Sequence, residues 1–230
     1  MRIRIIFSKQ GALRYTGHLD LRTLLERAAR RAAVPLAYSQ GFHPSPKIQI
    51  ACALPLGFSS RAEIMDMWLT TEREVFAQHT VSARLRIDLQ AALPNDIQIL
   101  EIKPVDDRAP ALQTQVIAAE YEVTLPDDTS TTLREAPLWG SASASDLTSR
   151  LSAVMDAESL PRERRGKAYD LRPLIESLEA APAEGSGKRR IQMRLTARAG
   201  ATGRPEEVLS ALGIPPESVR VERTRLIFQG

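Results

Sequence analysis

A chain of 230 residues with one cysteine, three histidines and a 5% share of aromatic residues has few of the groups on which metal and redox chemistry rest. Cys52 stands alone, which excludes an internal disulfide, a cysteine-ligated zinc site and an iron–sulfur cluster held by this chain by itself. Any such cofactor must come with a partner. His18 and His43, even with Asp20 or Asp66 beside them, are too few ligands to argue a metal centre, and none is expected. No apolar run approaches the roughly 18 residues of a membrane-spanning helix, so no membrane crossing is expected either. The opening MRIRIIFSKQ mixes charge into its apolar residues and reads as a strand, not a secretory signal, which makes the cytoplasm the expected location.

Hydrophobic residues make up 43% and charged residues 26% of the chain, ample for buried cores, and the length suggests two compact domains. The formal charge is only +3, yet residues 1–50 hold nine Arg or Lys against two Asp or Glu. Two further basic runs follow, RERRGKAYDLR at 162–172 and KRRIQMRLTAR at 188–198. Such patches are the electrostatic footprint of a phosphate-rich partner, although a pI near 9.2 is too mild for indiscriminate nucleic-acid binding. The plainer reading is a solvated, salt-bridged surface.

Arg2 to Ser8 alternates, with Ile3, Ile5 and Phe7 on one side, as a half-buried strand does. From His18 to Ala33, Leu21, Leu24, Leu25, Ala28 and Ala32 recur at helical spacing, while Arg27, Arg30 and Arg31 fall outside that face. Pro35 is expected to stop this amphipathic basic helix. Two extended segments around a rigid turn follow, then a strand at about 63–69, a helix at about 72–92 and a strand at 97–103. The order strand, helix, strand, strand, helix, strand predicts a split βαβ, or ferredoxin-like, domain. The remainder repeats it more loosely: a strand at 115–125, a helix at 145–155, a strand at 190–197, a short helix at 205–212 and a closing strand at 219–228. The expected fold is therefore α+β, two tandem ferredoxin-like domains with antiparallel sheets, at 1–108 and 109–230. KPVDDRAP is read as their boundary and APAEGSGK as a flexible connection inside the second.

Two stretches look too particular for packing alone. In GHLD, His18 opens the basic helix, where the first-turn N–H groups face outward and where Arg14 and Arg22 could help receive a phosphate or carboxylate. The plainer reading makes Thr16 the helix cap and Asp20 a first-turn acid favoured by the dipole. In GFHPSPKI, Pro44 and Pro46 hold His43 and Ser45 extended, displaying an imidazole and a hydroxyl beside Phe42 and Lys47. A loop stiffened in this way suits ligand capture. The plainer reading has Phe42 plug the core while the prolines turn the chain.

The run RYTGHLDLRTLLERAARRAAVPLAYSQGFHPSPKIQIACALPLGFSSRAEIMDMWL closely resembles DUF2344, a radical-SAM-associated family whose pattern runs roughly F-x-S-H-L-D, R-A-L-R-R-A-x-L-P, S-x-G-F-N-P-x-P-x-I, A-L-P-x-G. RERRGKAYDLRPLIESLEA fits its basic segment and D-x-R-P motif, matching Asp170, Arg172 and Pro173. Gly17 stands where the pattern usually has Ser, His43 where it usually has Asn, and Ser45 where His is common. The resemblance implies a stand-alone chain without a cofactor of its own, working beside a radical SAM protein that carries an iron–sulfur cluster and S-adenosylmethionine.

On these grounds the expected function is non-catalytic: an accessory protein recognising the substrate of that partner, with RNA as the preferred substrate class. The expected contacts lie in a basic cleft between the two domains, formed by the helix 18–33, the loop 41–47 and, from 162–172, Arg162, Arg164, Arg165, Lys167, Asp170 and Arg172. Two alternatives stand beside it. One is an RNA-cleaving enzyme with His18 and His43 as acid and base, on a topological analogy with CRISPR repeat-processing endoribonucleases. The other is a scaffold that docks the basic helix on the radical SAM partner.

Overall fold

The computed structural model describes residues 1–71, 76, 79–126, 144–181 and 189–229. The protein is a mixed α/β chain whose registered strand pairings are antiparallel. It packs as two units, Met1–Val116 with Gln229, and Ile117–Phe228. No described helix is long and apolar enough to cross a membrane.

In the first unit β1 (Arg2–Lys9) pairs with both β3 (Ser59–Trp68) and β4 (Ile97–Val105), and β2 (Ile48–Ile50) pairs with β3. The sheet order is thus β2-β3-β1-β4. Two helices, α1 (His18–Arg31) and α2 (described over His79–Ala92), cover one face. Ile3, Ile5 and Phe7, all fully buried, meet Leu21, Leu25 and Ala28 of α1 and Leu89 of α2 there. Each of the Ile, Phe and Leu side chains contributes about 1.5–3 kcal/mol on burial. Helix α1 ends at Arg31, ahead of the expected stop. Ala33 takes a left-handed φ of 52°, the Ala33 N–H donates to the Arg30 carbonyl, and the Val34 N–H donates to that of Ala29, a Schellman closure.

The other face of β1 corrects the expectation of a half-buried strand. Arg2 is 1% exposed and Asp66 0%. Arg2 Nη2 donates to Asp66 Oδ2 at 2.6 Å and Arg4 Nε to Oδ1 at 2.9 Å. The register explains the match, because Arg4 lies opposite Asp66 and Arg2 opposite Trp68, all on one face. Arg2 also donates to the carbonyls of Ala109 and Pro110, and Arg4 to the Gln115 side chain. These bonds bring 109–115, including the helical turn α3 (Leu112–Gln115), onto the sheet, so the segment expected to separate two domains at 103–110 lies within the first unit.

The second unit contains β5 (Val116–Thr124), α4 (Ala144–Asp156), β8 (Ile175–Ala181), β9 (Arg190–Arg198), the two-residue β10 (Ala201–Thr202), α5 (Pro205–Ala211) and β11 (Arg220–Phe228). Strand β9 pairs with β5 on one side and with β8 and β10 on the other, and β11 neighbours β5, so the order is β8-β9-β5-β11. Gly203 sits at a close approach: a Cβ there would lie 2.7 Å from the Leu174 carbonyl oxygen. A further pair, β6 (Pro161–Arg164) and β7 (Lys167–Asp170), forms a two-stranded sheet of its own where the sequence suggested only a charge run. The APAEGSGK connection, apart from Ala181, lies outside the described residues.

Candidate functional site

Much of the N-terminal positive charge is consumed internally. Arg2 and Arg4 are bound to Asp66, Arg30 pairs with Glu26 one helical turn away, and Arg31 donates to the Ala92 carbonyl. Arg14 folds over the Tyr15 ring, 4.7 Å from its centroid, and donates to its hydroxyl. Lys9, 1% exposed, donates from Nζ to the Thr16 carbonyl. Arg22, Arg27 and Lys47 are left with no carboxylate partner among the described residues.

The structure gathers Arg22 and Lys47 around one hollow of about 420 Å³, lined also by Ser39, Ser45, Pro46, Ile48, Gln49 and Trp68. No carboxylate is among these walls. Two unpaired cations, two hydroxyls and an indole make an anion-receptive surface with a flat apolar wall. Trp68 is held in place by Arg2, whose guanidinium lies 4.8 Å from the ring centroid. Asp20, Arg27 and Arg31 line a separate hollow of about 370 Å³ with Thr23, Leu24, Ala92 and Pro94.

Above the first hollow the chain forms a loop closed at its base. The Ser39 N–H donates to the Ser45 carbonyl at 2.9 Å, the Ser45 N–H donates to Ser39 Oγ at 3.0 Å, and the two hydroxyls lie 3.3 Å apart. A Tyr38–Pro46 bridge and a bond from the Lys47 N–H to the Ala37 carbonyl continue the clamp. Gly41, at φ 134°, lets the tip turn. The Ser45 hydroxyl is therefore engaged in closing the loop, while His43 stands exposed on it. Phe42 is 103% exposed, which overturns the reading of this ring as a core plug. Ser39→Ala removes the acceptor of one clamp bond and one hydroxyl contact, at a cost of about 1 kcal/mol. Faster amide exchange at Ser45 with a melting temperature lowered by only about 2–4 °C would verify this.

At the start of α1 the cap residue is Gly17, and no side chain caps the helix, so Thr16 does not serve as the expected cap. Thr16 turns its carbonyl to Lys9 instead. His18 is half-buried and Asp20 exposed in the first turn.

In the second unit the basic segment has two fates. Asp170 and Arg172 are committed to the backbone: Asp170 Oδ1 accepts from the N–H groups of Leu160 and Arg172, and Arg172 donates to the carbonyls of Met155 and Ile175. Those two backbone donors hold the Asp170 carboxyl below its ordinary range. A carboxylate depressed in the folded state stabilises it fully above the unfolded pKa, near 3.9, and loses that contribution as pH falls through the folded value. Acidification below the ordinary carboxylate range should loosen the hairpin, and Asp170→Asn should abolish that dependence; amide exchange at Leu160 and Arg172 against pH measures it. Arg162 lies 3.6 Å from Glu207, whereas Arg164, Arg165 and Lys167 stand exposed at the hairpin tip.

Helix 18–31 and loop 41–47 thus belong to the first unit and 162–172 to the second. Among the described residues no group of three or more His, Cys, Asp or Glu is arranged to hold a metal ion. The contribution of Ser39 was missed in the sequence; its spacing from Ser45 across GFHP was the one visible signal. The family profile described as "Uncharacterized protein conserved in bacteria (DUF2344)" matches residues 2–205. The chain belongs to the DUF2344 family. No curated protein matches this DUF2344 chain. A solved structure of a DypB variant in complex with manganese aligns over 92% of the chain and 82% of its own length, at 10% identity and a TM-score of 0.20. That score is too low to indicate a common fold with DUF2344.

Proposed function

We propose that this DUF2344 protein is a non-catalytic, cytoplasmic RNA-recognition protein that acts beside a separate radical SAM enzyme, the latter holding the iron–sulfur cluster and S-adenosylmethionine. The observation that carries the RNA part is Phe42, fully exposed on a serine-clamped loop whose base is the Arg22 and Lys47 hollow. In a chain with only 5% aromatic residues, one is placed where it buries nothing. An exposed ring beside unpaired cations is the pairing that single-stranded nucleic acid uses, the ring for a base and the cations for the backbone. A pre-closed loop lowers the entropy lost on binding. The radical SAM part rests on the motif resemblance and on the single cysteine, which leaves cluster ligands to a partner.

Each unit also reads as ferredoxin-like. The sheet orders β2-β3-β1-β4 and β8-β9-β5-β11, each with a helix between the first and second of its strands and between the third and fourth, support that reading.

Fluorescence anisotropy of a labelled single-stranded RNA against the full chain tests the RNA part. Binding should weaken steeply with salt, and Arg22→Glu with Lys47→Glu should reduce affinity at least about tenfold. Absence of binding by the wild type at low salt would refute it. Capture of the tagged chain from its own cells, with the co-purifying proteins assayed for iron and labile sulfide, tests the partner; recovery without an iron–sulfur protein would count against it.

A further inference from the structure

We propose that the hairpin β6–β7 of the second unit is a phosphate-binding subsite that grips the backbone of the RNA; the identity of the ligand rests on the RNA reading above, the phosphate chemistry does not. The register sets Arg162 opposite Tyr169 and Arg164 opposite Lys167, so one hairpin face gathers three cations and a phenol. That face looks onto a hollow of about 390 Å³, where Arg164, Lys167 and Tyr169 meet Thr202 and Arg204 across the gap. Arg164 and Lys167 have no carboxylate partner among the described residues.

Of the acids nearby, Glu163 pairs in register with Ala168 and so lies on the other face of the hairpin, and the others are already engaged. Glu207 lies 3.6 Å from Arg162, and Glu206 lies 3.6 Å from Arg204. Asp170, the one carboxylate in the wall, accepts two backbone N–H groups. Two exposed cations without internal partners therefore face outward with a third, Arg204, opposite. Guanidinium forks and an ammonium around an open hollow suit the oxygens of a phosphate. The Tyr169 hydroxyl is buried and has no hydrogen-bond partner among the described residues. Burial, and then Glu207, push this phenol up, so it stays a donor.

The turn adds a separate argument. Arg165 and Gly166 have φ of 50° and 73°, the two left-handed residues of a type I′ turn. Asn-Gly is the pair such a turn favours, and a long side chain in the first position is strained. Arg165 puts a third cation at the tip in place of the residue that would fold best there.

The test uses the full chain and the variant carrying Arg164→Gln and Lys167→Gln, both exposed positions whose loss should leave the melting curve unchanged. Affinity for a labelled 12-nucleotide single-stranded RNA is measured between about 50 and 200 mM salt, where each phosphate contact on a single strand contributes a slope of about 0.7 in log K against log salt. Loss of two contacts should flatten the slope by about 1.4, so that the fourfold rise in salt weakens the variant about sevenfold less than the wild type. In parallel, inorganic pyrophosphate is titrated against both proteins while the amide resonances of 164–169 and 200–204 are followed. RNA binding with an unchanged slope in the variant would overturn the subsite and leave the RNA reading standing. No RNA binding by the wild type, with pyrophosphate shifts present there and absent in the variant, would retire the RNA reading and support the subsite for a free phosphate ligand. Silence in both assays would overturn both.

Discussion

Asp66→Ala should be the most damaging single change in the first unit, lowering its stability by about 3–5 kcal/mol. Its carboxylate is fully buried and receives the guanidinium groups of both Arg2 and Arg4. Removing it leaves Arg2, 1% exposed, as an uncompensated cation in the protein interior. The damage should spread along the bonds that Arg2 makes to Ala109 and Pro110, so amide exchange should accelerate across 109–115 as well as in β1 and β3. Denaturant unfolding with exchange read residue by residue measures both effects. A loss under about 1 kcal/mol would mean that the arginines reach water by local rearrangement, and that the triad is not what holds 109–115 on the sheet. Replacing all three charges with apolar side chains should be far milder than Asp66→Ala, because a buried ion pair is costly to break and much less costly to omit.

Phe42→Ala should do the reverse, leaving stability unchanged and weakening binding. The ring is 103% exposed, so truncating it creates no cavity and exposes no core. If it stacks on a base, its loss costs about 1–3 kcal/mol of binding, a fall of about 5- to 150-fold in RNA affinity. Phe42→Trp should restore or strengthen it, since stacking requires only a flat π-face. Trp68 offers a second readout: with Trp139→Phe in the background it is the only tryptophan left, and RNA filling the hollow it lines should change its emission. An affinity indifferent to Phe42→Ala would remove the ring from the interface and with it the main support for RNA.

Where one residue's neighbours in sequence are also its neighbours in space, the sequence was readable. The alternation of Ile3, Ile5 and Phe7 located β1, and the spacing of Leu21, Leu25 and Ala28 located α1 with its start at His18. The strands of 97–105, 116–124, 190–198 and 220–228 fell within one or two residues of their expected ends, because period-two patterns survive whatever packs against them. The hairpin β6–β7 was missed for the opposite reason. Its faces carry Arg, Glu and Lys in place of an apolar stripe, and its turn is Arg-Gly where Asn-Gly would have announced it. The cap at Thr16 failed because the helix begins one residue later, with Gly17 in the cap position and no side-chain hydroxyl to offer, a boundary that the run YTGHLD leaves open. Phe42 between Gly41 and His43 was undecidable in sequence, since a bracketed aromatic reads equally as plug or display.

By itself the sequence determined the types and order of most elements, and it determined that one cysteine cannot hold a cluster. Those follow from local periodicity and from counting. Only the tertiary structure decided which charges remain for a ligand. Nine cations in the first fifty residues read alike along the chain, but Asp66, 64 residues after Arg2, neutralises part of that charge, and the fold leaves Arg22 and Lys47 without a carboxylate partner among the described residues, beside the clamped loop. Ion pairing acts through space with no memory of sequence distance, so the surface available to a partner is set by strand register and burial, which composition does not encode.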